Sequence, residues 1–187
     1  MRIGYCYTGS HCTLARAYAA REELIISGHE IVPIMSENVY YTDTRFGSAE
    51  EFSRRVEAVT GRAVIHTVKD AEPLGPKEPL ELLVIAPCTG NTLSKIARGI
   101  TDTSATMAAK AHLRCDRPTL IALSTNDAMS QNLSSISALL CRKAVYFLPM
   151  RQDDPKGQPH SLVAEYGLLS EGVAAAMRGE QLRPLFL

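Results

Sequence analysis

The segment 84–103, VIAPCTGNTLSKIARGITDT, gathers side chains able to do chemistry. An apolar run ends in Pro87-Cys88-Thr89-Gly90-Asn91-Thr92 and passes at once into an amphipathic stretch. A strand-to-helix turn needs only one capping residue, so the surplus hydroxyls and amide suit contacts to a ligand. Thr89 and Thr92 can donate to a phosphate or a ring carbonyl. If the helix starts near Asn91, Asn91 and Lys95 share a face one turn apart. We expect Asn91 to touch a ligand rather than serve only as a cap. Lys95 either meets a substrate carboxylate or lies in solvent.

Three further segments carry similar groups. TGSHCT (8–13) places Gly9 where backbone can approach a ligand, and Ser10 and Thr13 beside the free N–H groups of a helix start. His11 in that loop is an acid/base candidate, or a partly exposed loop histidine. Ser36-Glu37-Asn38 follows IVPIM and, taken alone, reads as a turn. STNDAMSQN, Ser124 to Asn132, again sets hydroxyls and amides after an apolar strand, including Asn126 and Met129. Arg45 in TDTRFG is a candidate clamp for a dicarboxylate, because a guanidinium fork matches a carboxylate bidentately. Together these segments predict one pocket that binds a phosphate and a polar heterocycle through neutral donors. Neither GxGxxG nor GK[ST] occurs, which excludes the P-loop and the dinucleotide fingerprint.

The elements that position these groups alternate. RIGYCYT, EIVPIMS, ELLVIAP, PTLIALST and AVYFLP read as strands, with AVIHTV a short additional one and AVYFLP the last. Helical spacing follows at TLARAYAAREELIISGH, at SAEEFSRRVEAVTG with a capping box of Ser48 and Glu51, over 92–100, over 104–114, at SQNLSSISALLCRK and at LVAEYGLLSEGVAAAMRG. ELLVIAP lacks polar alternation, as expected of a parallel strand covered on both faces. AEPLGPKEPL carries three prolines and excludes helix and interior strand. QDDPKGQPHS reads as a loop, in which Arg151, Asp153 and Asp154 could form a lid. The predicted fold is a single domain over 1–187: a doubly wound, mostly parallel, Rossmann-like (flavodoxin-like) open sheet in three α/β/α layers. Ligands bind such sheets outside the carboxyl ends of the strands.

Composition narrows the classes. Twenty Lys and Arg balance twenty Asp and Glu, so no global field favours nucleic acid or an anionic membrane. The N-terminus turns polar too soon for a signal peptide, and no apolar run approaches a spanning length, so the expectation is cytoplasmic. Five cysteines without a CxxC pair read as free thiols in a reducing compartment, with no metal site.

APCTGNTLSKIARGITD resembles the motif of the flavin-binding cysteine decarboxylase and flavin prenyltransferase superfamily, with Pro87, Thr89, Asn91, Thr92, Lys95, Gly99 and Asp102 in register. TGS after the first strand, Ser36 after the second and STNDAM after the later strand fall where that superfamily places FMN contacts. By this resemblance Gly9, Ser10, Ser36, Pro87, Thr89, Asn91, Thr92, Ser124 and Met129 are expected to bind the cofactor. Asn91, Lys95 and His11 are the expected catalytic groups, and Arg45 and Asn126 the substrate contacts. TDTRFG, AEPLGPKEPL, STNDA and QDDP carry a closer resemblance, over essentially the whole chain, to the dipicolinate synthase B-subunit family. That resemblance implies oxidation of a 4-hydroxy-tetrahydrodipicolinate-derived dicarboxylate to dipicolinic acid, in the mother-cell cytosol of a sporulating bacterium. It also implies a partner, the A subunit of dipicolinate synthase, which carries NAD(P), and a homo-oligomer, trimer or dodecamer. FMN or another anion can use the phosphate contacts. The segment before the Pro87 strand lacks the decarboxylases' histidine (His66 lies far upstream), and the C-terminal loop lacks their cysteine. The alternatives are therefore an FMN-dependent decarboxylase or prenyltransferase, against which these departures weigh, and a non-catalytic binding protein.

Overall fold

The computed structural model describes residues 1–187. Its strands are β1 (Arg2–Tyr7), β2 (Glu30–Met35), β3 (Leu82–Cys88), β4 (Thr119–Thr125), β5 (Val145–Phe147), β6 (Met150–Arg151) and β7 (Leu162–Ala164). The helices are α1 (Leu14–Ile26), α2 (Glu37–Tyr41), α3 (Ala49–Thr60), α4 (Val68–Ala71), α5 (Gly90–Arg98), α6 (Ser104–Leu113), α7 (Leu133–Leu140) and α8 (Leu169–Met177). The sheet runs β2-β1-β3-β4-β7-β6, with β5 paired to the first half of β4. The pairs linking β1 to β5 are parallel; β7 joins β4 and β6 antiparallel. The expected three-layer, mostly parallel α/β/α sheet is therefore the fold.

Side-chain alternation along the strands divides the core between two faces. Cys6, Ile34, Leu83, Ile85 and Ile121 pack with Leu93 and Ile96 of α5, Ala105 and Ala109 of α6 and Ile136 of α7. Tyr5, Tyr7, Met35, Leu82, Val84 and Leu120 pack with Ala17 and Leu24 of α1, Val56 of α3 and Val173 of α8. All seven residues of β3 are buried, as their unbroken apolar run requires.

Several local expectations are revised. The sequence after Phe147 does not stop adding strands: 152–161 is the connection between β6 and β7, and Leu162–Ala164 is strand rather than helix start. The sheet overrides local helical preference there, since Ser124 and Thr125 of β4 pair with Val163 and Leu162. AVIHTV contributes only the Ile65 bridge to Ile34. Ser48 Oγ accepts from the Glu51 N–H at 3.1 Å, which is one half of the capping box. Arg151 pairs with Glu165 at 2.9 Å and not with the loop aspartates.

The chain leaves β1 for β2 on one side, then crosses back to β3 on the other. The tips of β1 and β3 therefore flank the point where the winding reverses, the place where open α/β sheets bind ligands.

Candidate functional site

Hydrogen bonds through Thr8 hold the two tips together. Thr8 donates to the Pro87 carbonyl through its N–H at 3.2 Å and its hydroxyl at 2.8 Å. The same hydroxyl accepts from the Thr89 N–H at 2.9 Å. Pro87 thus serves the site through its carbonyl and is itself buried behind it.

Thr89 is the N-cap of α5, its hydroxyl accepting from Thr92 N–H at 3.1 Å. This removes the capping role from Asn91, which sits in the first turn, exposed, with no hydrogen bond from its side chain to the rest of the chain. The N–H groups of Gly90 and Asn91 have no acceptor within the chain, as expected at a helix start. Gly90 is glycine for a packing reason. A Cβ there would lie 2.5 Å from Asn132 Nδ2, 2.6 Å from Thr125 Oγ1 and 2.8 Å from Asp127 Oδ1. Those three side chains form one cluster: Asp127 accepts from Thr125 Oγ1 at 2.5 Å and from Asn132 Nδ2 at 2.9 and 2.8 Å. Asn132 in turn accepts from Ser94 Oγ of α5 at 2.5 Å. The cluster fixes where α5 begins relative to the tip of β4.

Two adjoining clefts open over these tips. The larger, about 620 Å³, includes Ser10, His11, Asn126 and Ser124 with Asp153, Gln158 and Ser161 from the β6–β7 connection. The smaller, about 410 Å³, includes Ser36, Glu37, Thr92, Lys95 and Asp102. Gly9, Thr89 and Asn91 belong to both, so they form the ridge between them. Four predicted strand ends therefore converge on one polar depression.

Its polar groups are unequally satisfied. Ser124 Oγ is 3.0 Å from the Tyr166 hydroxyl, and Thr13 donates to Ser10 Oγ at 2.9 Å. Lys95 Nζ is 2.9 Å from Asp102 Oδ2, and that contact holds the Asp102 carboxyl below its ordinary value. Glu37 Oε1 accepts from Ser104 N–H at 3.0 Å, but Glu37 Oε2 and Ser36 Oγ are buried with no partner. Buried orphans of this kind cost free energy unless something completes them. A hydroxyl-bearing, phosphate-tailed ligand completes both, since its hydroxyls donate to Glu37 and its phosphate accepts from Ser36. His11 lies in the wall of the larger cleft, and partial burial lowers its pKa. Its imidazole is therefore available in the neutral, proton-accepting form near neutral pH.

The prediction does not hold everywhere. Arg45 is exposed and lines neither cleft; its guanidinium rests 4.9 Å from the Phe46 ring centroid. Met129 lies outside both clefts, its N–H donating to the His160 carbonyl at 3.0 Å. His66 stacks on Tyr40 at 3.7 Å and likewise lines neither cleft. Asp153, expected in a lid, lines the larger cleft, whereas the sequence does not mark Asp127, Glu37, Gln158 and Ser161 as site residues. Asp127 lies within the STNDAM segment, but nothing local marks it as the anchor of Asn132. Cys88 is buried, and burial pushes its thiol pKa up. Cys12 is exposed and edges the larger cleft.

Known proteins resemble this chain in sequence and in fold. A family model described as Flavoprotein matches residues 1–162. The B subunit of dipicolinate synthase from Bacillus subtilis (strain 168) is 43% identical over 186 residues, covering 100% of this chain and 93% of that protein. The crystal structure of the dipicolinate synthase B subunit from Bacillus halodurans superposes with a TM-score of 0.91 at 40% identity, covering 100% of this chain and 95% of the other. An FMN-dependent cysteine decarboxylase, SpaF, shares the fold at a TM-score of 0.67 and 24% identity, covering 96% and 97% of the two chains.

Proposed function

The chain belongs to the Flavoprotein family, in the company of the dipicolinate synthase B subunits, and from that membership we propose that it binds FMN across the joined clefts and serves as the B subunit of a dipicolinate synthase. Its reaction would be oxidation of a dihydro- or tetrahydropyridine dicarboxylate to dipicolinic acid, alongside an A subunit that carries NAD(P). The observation carrying the reading is the pair of buried, unpartnered oxygens, Ser36 Oγ and Glu37 Oε2, in a cleft that also presents the free N–H groups of Gly90 and Asn91.

When bound, the flavin supplies a ring that accepts electrons. This chain's residues do the rest. Ser36, Ser10 and the free N–H groups of α5 bind the phosphate end, which is where a helix N-terminus favours negative charge. Glu37 holds the hydroxyls of the linking chain. Asn91, exposed on the ridge, orients ligand atoms from both clefts through its amide. His11 takes the proton that must leave the substrate ring as it becomes aromatic. Lys95, held by Asp102 at 2.9 Å, stands in the smaller cleft where it can position a charged group of the ligand. Asp153, Gln158 and Ser161 cover the larger cleft and exclude water. A decarboxylase reading is disfavoured because His66 stands away from both clefts and residues 150–161 contain no cysteine.

The reading includes a homo-oligomer, on family grounds. No helix is long and apolar enough to cross a membrane. The test is to mix the purified chain with its A-subunit partner, the condensation product and a nicotinamide cofactor, and to follow absorbance of the pyridine product. Product formation should depend on this chain and fall on His11→Gln. An unchanged rate when the A-subunit partner acts alone refutes a catalytic role.

A further inference from the structure

A separate cavity of about 260 Å³ shares His11 and Cys12 with the larger polar cleft, but its other walls differ in kind. Tyr18 of α1, Phe52 of α3 and Phe46 of the preceding loop give it flat apolar sides, and no aspartate or glutamate lines it. Its one cationic wall residue is Arg55, whose guanidinium lies 5.2 Å from the Tyr18 ring centroid.

A second guanidinium lies against the same ring. Arg21 sits 4.1 Å from the Tyr18 centroid, wholly buried, and none of its three guanidinium nitrogens has a hydrogen-bond partner. Its nearest carboxylate, Glu22, is 3.9 Å away. Arg45 adds a third cation at the Phe46 ring. Neither Arg45 nor Arg55 joins any of the chain's ion pairs. Arg55, in no ion pair, lines the cavity itself, and Arg21 lies behind the Tyr18 wall, so the local potential favours an anion. Flat apolar walls, positive potential and no competing acid together select an anion built on a planar ring. Ligand cavities commonly measure about 300–1,000 Å³, so this one takes a single ring and not a dinucleotide.

We propose that this cavity seats a planar single-ring dicarboxylate, with Arg55 as its carboxylate anchor. The inference rests on the proposed function in identifying that anion with the substrate class. It places His11 in the wall common to the ring site and the cofactor cleft.

The test uses the full chain, with and without FMN, titrated calorimetrically in chelator-treated buffer with pyridine-2,6-dicarboxylate and with its neutral analogue pyridine-2,6-dimethanol. The dicarboxylate should bind and the neutral analogue should not. Arg55 is exposed, so Arg55→Gln should fold normally, weaken the dicarboxylate by about ten- to a hundredfold and leave the FMN titration unchanged. Arg55→Lys should restore part of the loss. Bound dicarboxylate should slow modification of Cys12 by a thiol reagent while leaving Cys141, which is also exposed, unaffected. The proposal is overturned if the wild type takes up no dicarboxylate at millimolar concentration, or if Arg55→Gln binds it as well as the wild type. Dicarboxylate binding with no FMN binding would refute the flavin reading and leave this one standing; the converse result would do the reverse.

Discussion

Replacing Gly90 by alanine tests whether the polar cluster behind α5 sets the floor of the site. The new Cβ would come within 2.8 Å of Asn132 Nδ2, Thr125 Oγ1 and Asp127 Oδ1. These atoms hold one another, so relief means breaking a bond to the Asp127 carboxylate or displacing the start of α5. Overpacking of this kind costs about 1–3 kcal/mol, and losing one hydrogen bond to a charged group costs about 1.5–3 kcal/mol. Alanine restricts the unfolded chain and returns about 0.4–1 kcal/mol. The net loss is about 2–5 kcal/mol, which at about 2–4 °C per kcal/mol for a chain of this size lowers Tm by at least about 4 °C. Gly9→Ala is the control, because a Cβ there meets nothing nearer than 3.7 Å. Thermal unfolding of both variants, followed by far-UV circular dichroism without ligand, separates them. If Gly90→Ala melts together with Gly9→Ala and the wild type, the cluster does not fix the helix start and the reasoning fails.

Other expectations follow from single contacts. Burial lowers the His112 pKa from 6.5 to about 4, and its Nε2 lies 2.8 Å from the Pro118 carbonyl while Nδ1 has no partner. The unfolded chain therefore takes up this proton first as the pH falls. Stability should be complete above about pH 6.5 and drop by about 3 kcal/mol on acidification towards pH 4; denaturant titrations across that window, with His112→Gln flattening the slope, check it. Asn91→Asp adds a carboxylate beside the free N–H groups of α5, which suits the helix dipole but repels a phosphate. Tm should hold or rise, while FMN affinity falls by about tenfold or more. Lys95→Met removes the partner of Asp102, so the Asp102 carboxyl should move upward towards its ordinary value in an NMR titration, while an unmoved carboxyl would show the pair does not form.

Local patterns revealed the frame of this molecule more fully than its site. The unbroken apolar run of β3 needed both faces covered, and Gly28 and Gly61 ended their helices in the left-handed region as expected of C-terminal glycines. The tips carrying Ser10, Ser36, Asn91 and Ser124 were legible because strand ends with surplus polar groups are visible one at a time. Their convergence depended only on the parallel winding. What remained hidden depends on contacts distant in sequence. The packing at Gly90 comes from Asp127 and Asn132, which the turn between β4 and α7 brings against it. Leu162–Ala164 read as helix because its strand character comes from β4 and β6 on either side. Arg45 had the right chemistry for a carboxylate, but the loop before α3 leaves it exposed against the Phe46 ring and away from the ridge at Asn91.

The central claim is that the tips of β1, β2, β3 and β4 form one flavin cradle, and titration of the purified chain with FMN measures it directly. Visible absorbance and flavin fluorescence should reveal saturable binding with a perturbed flavin spectrum. Gly9→Val, which projects a side chain onto the ridge between the clefts, should abolish that binding while Tm stays near wild type. If FMN leaves the wild-type protein freely on desalting and its spectrum never changes, or if Gly9→Val binds it undiminished, the cradle is not where flavin goes.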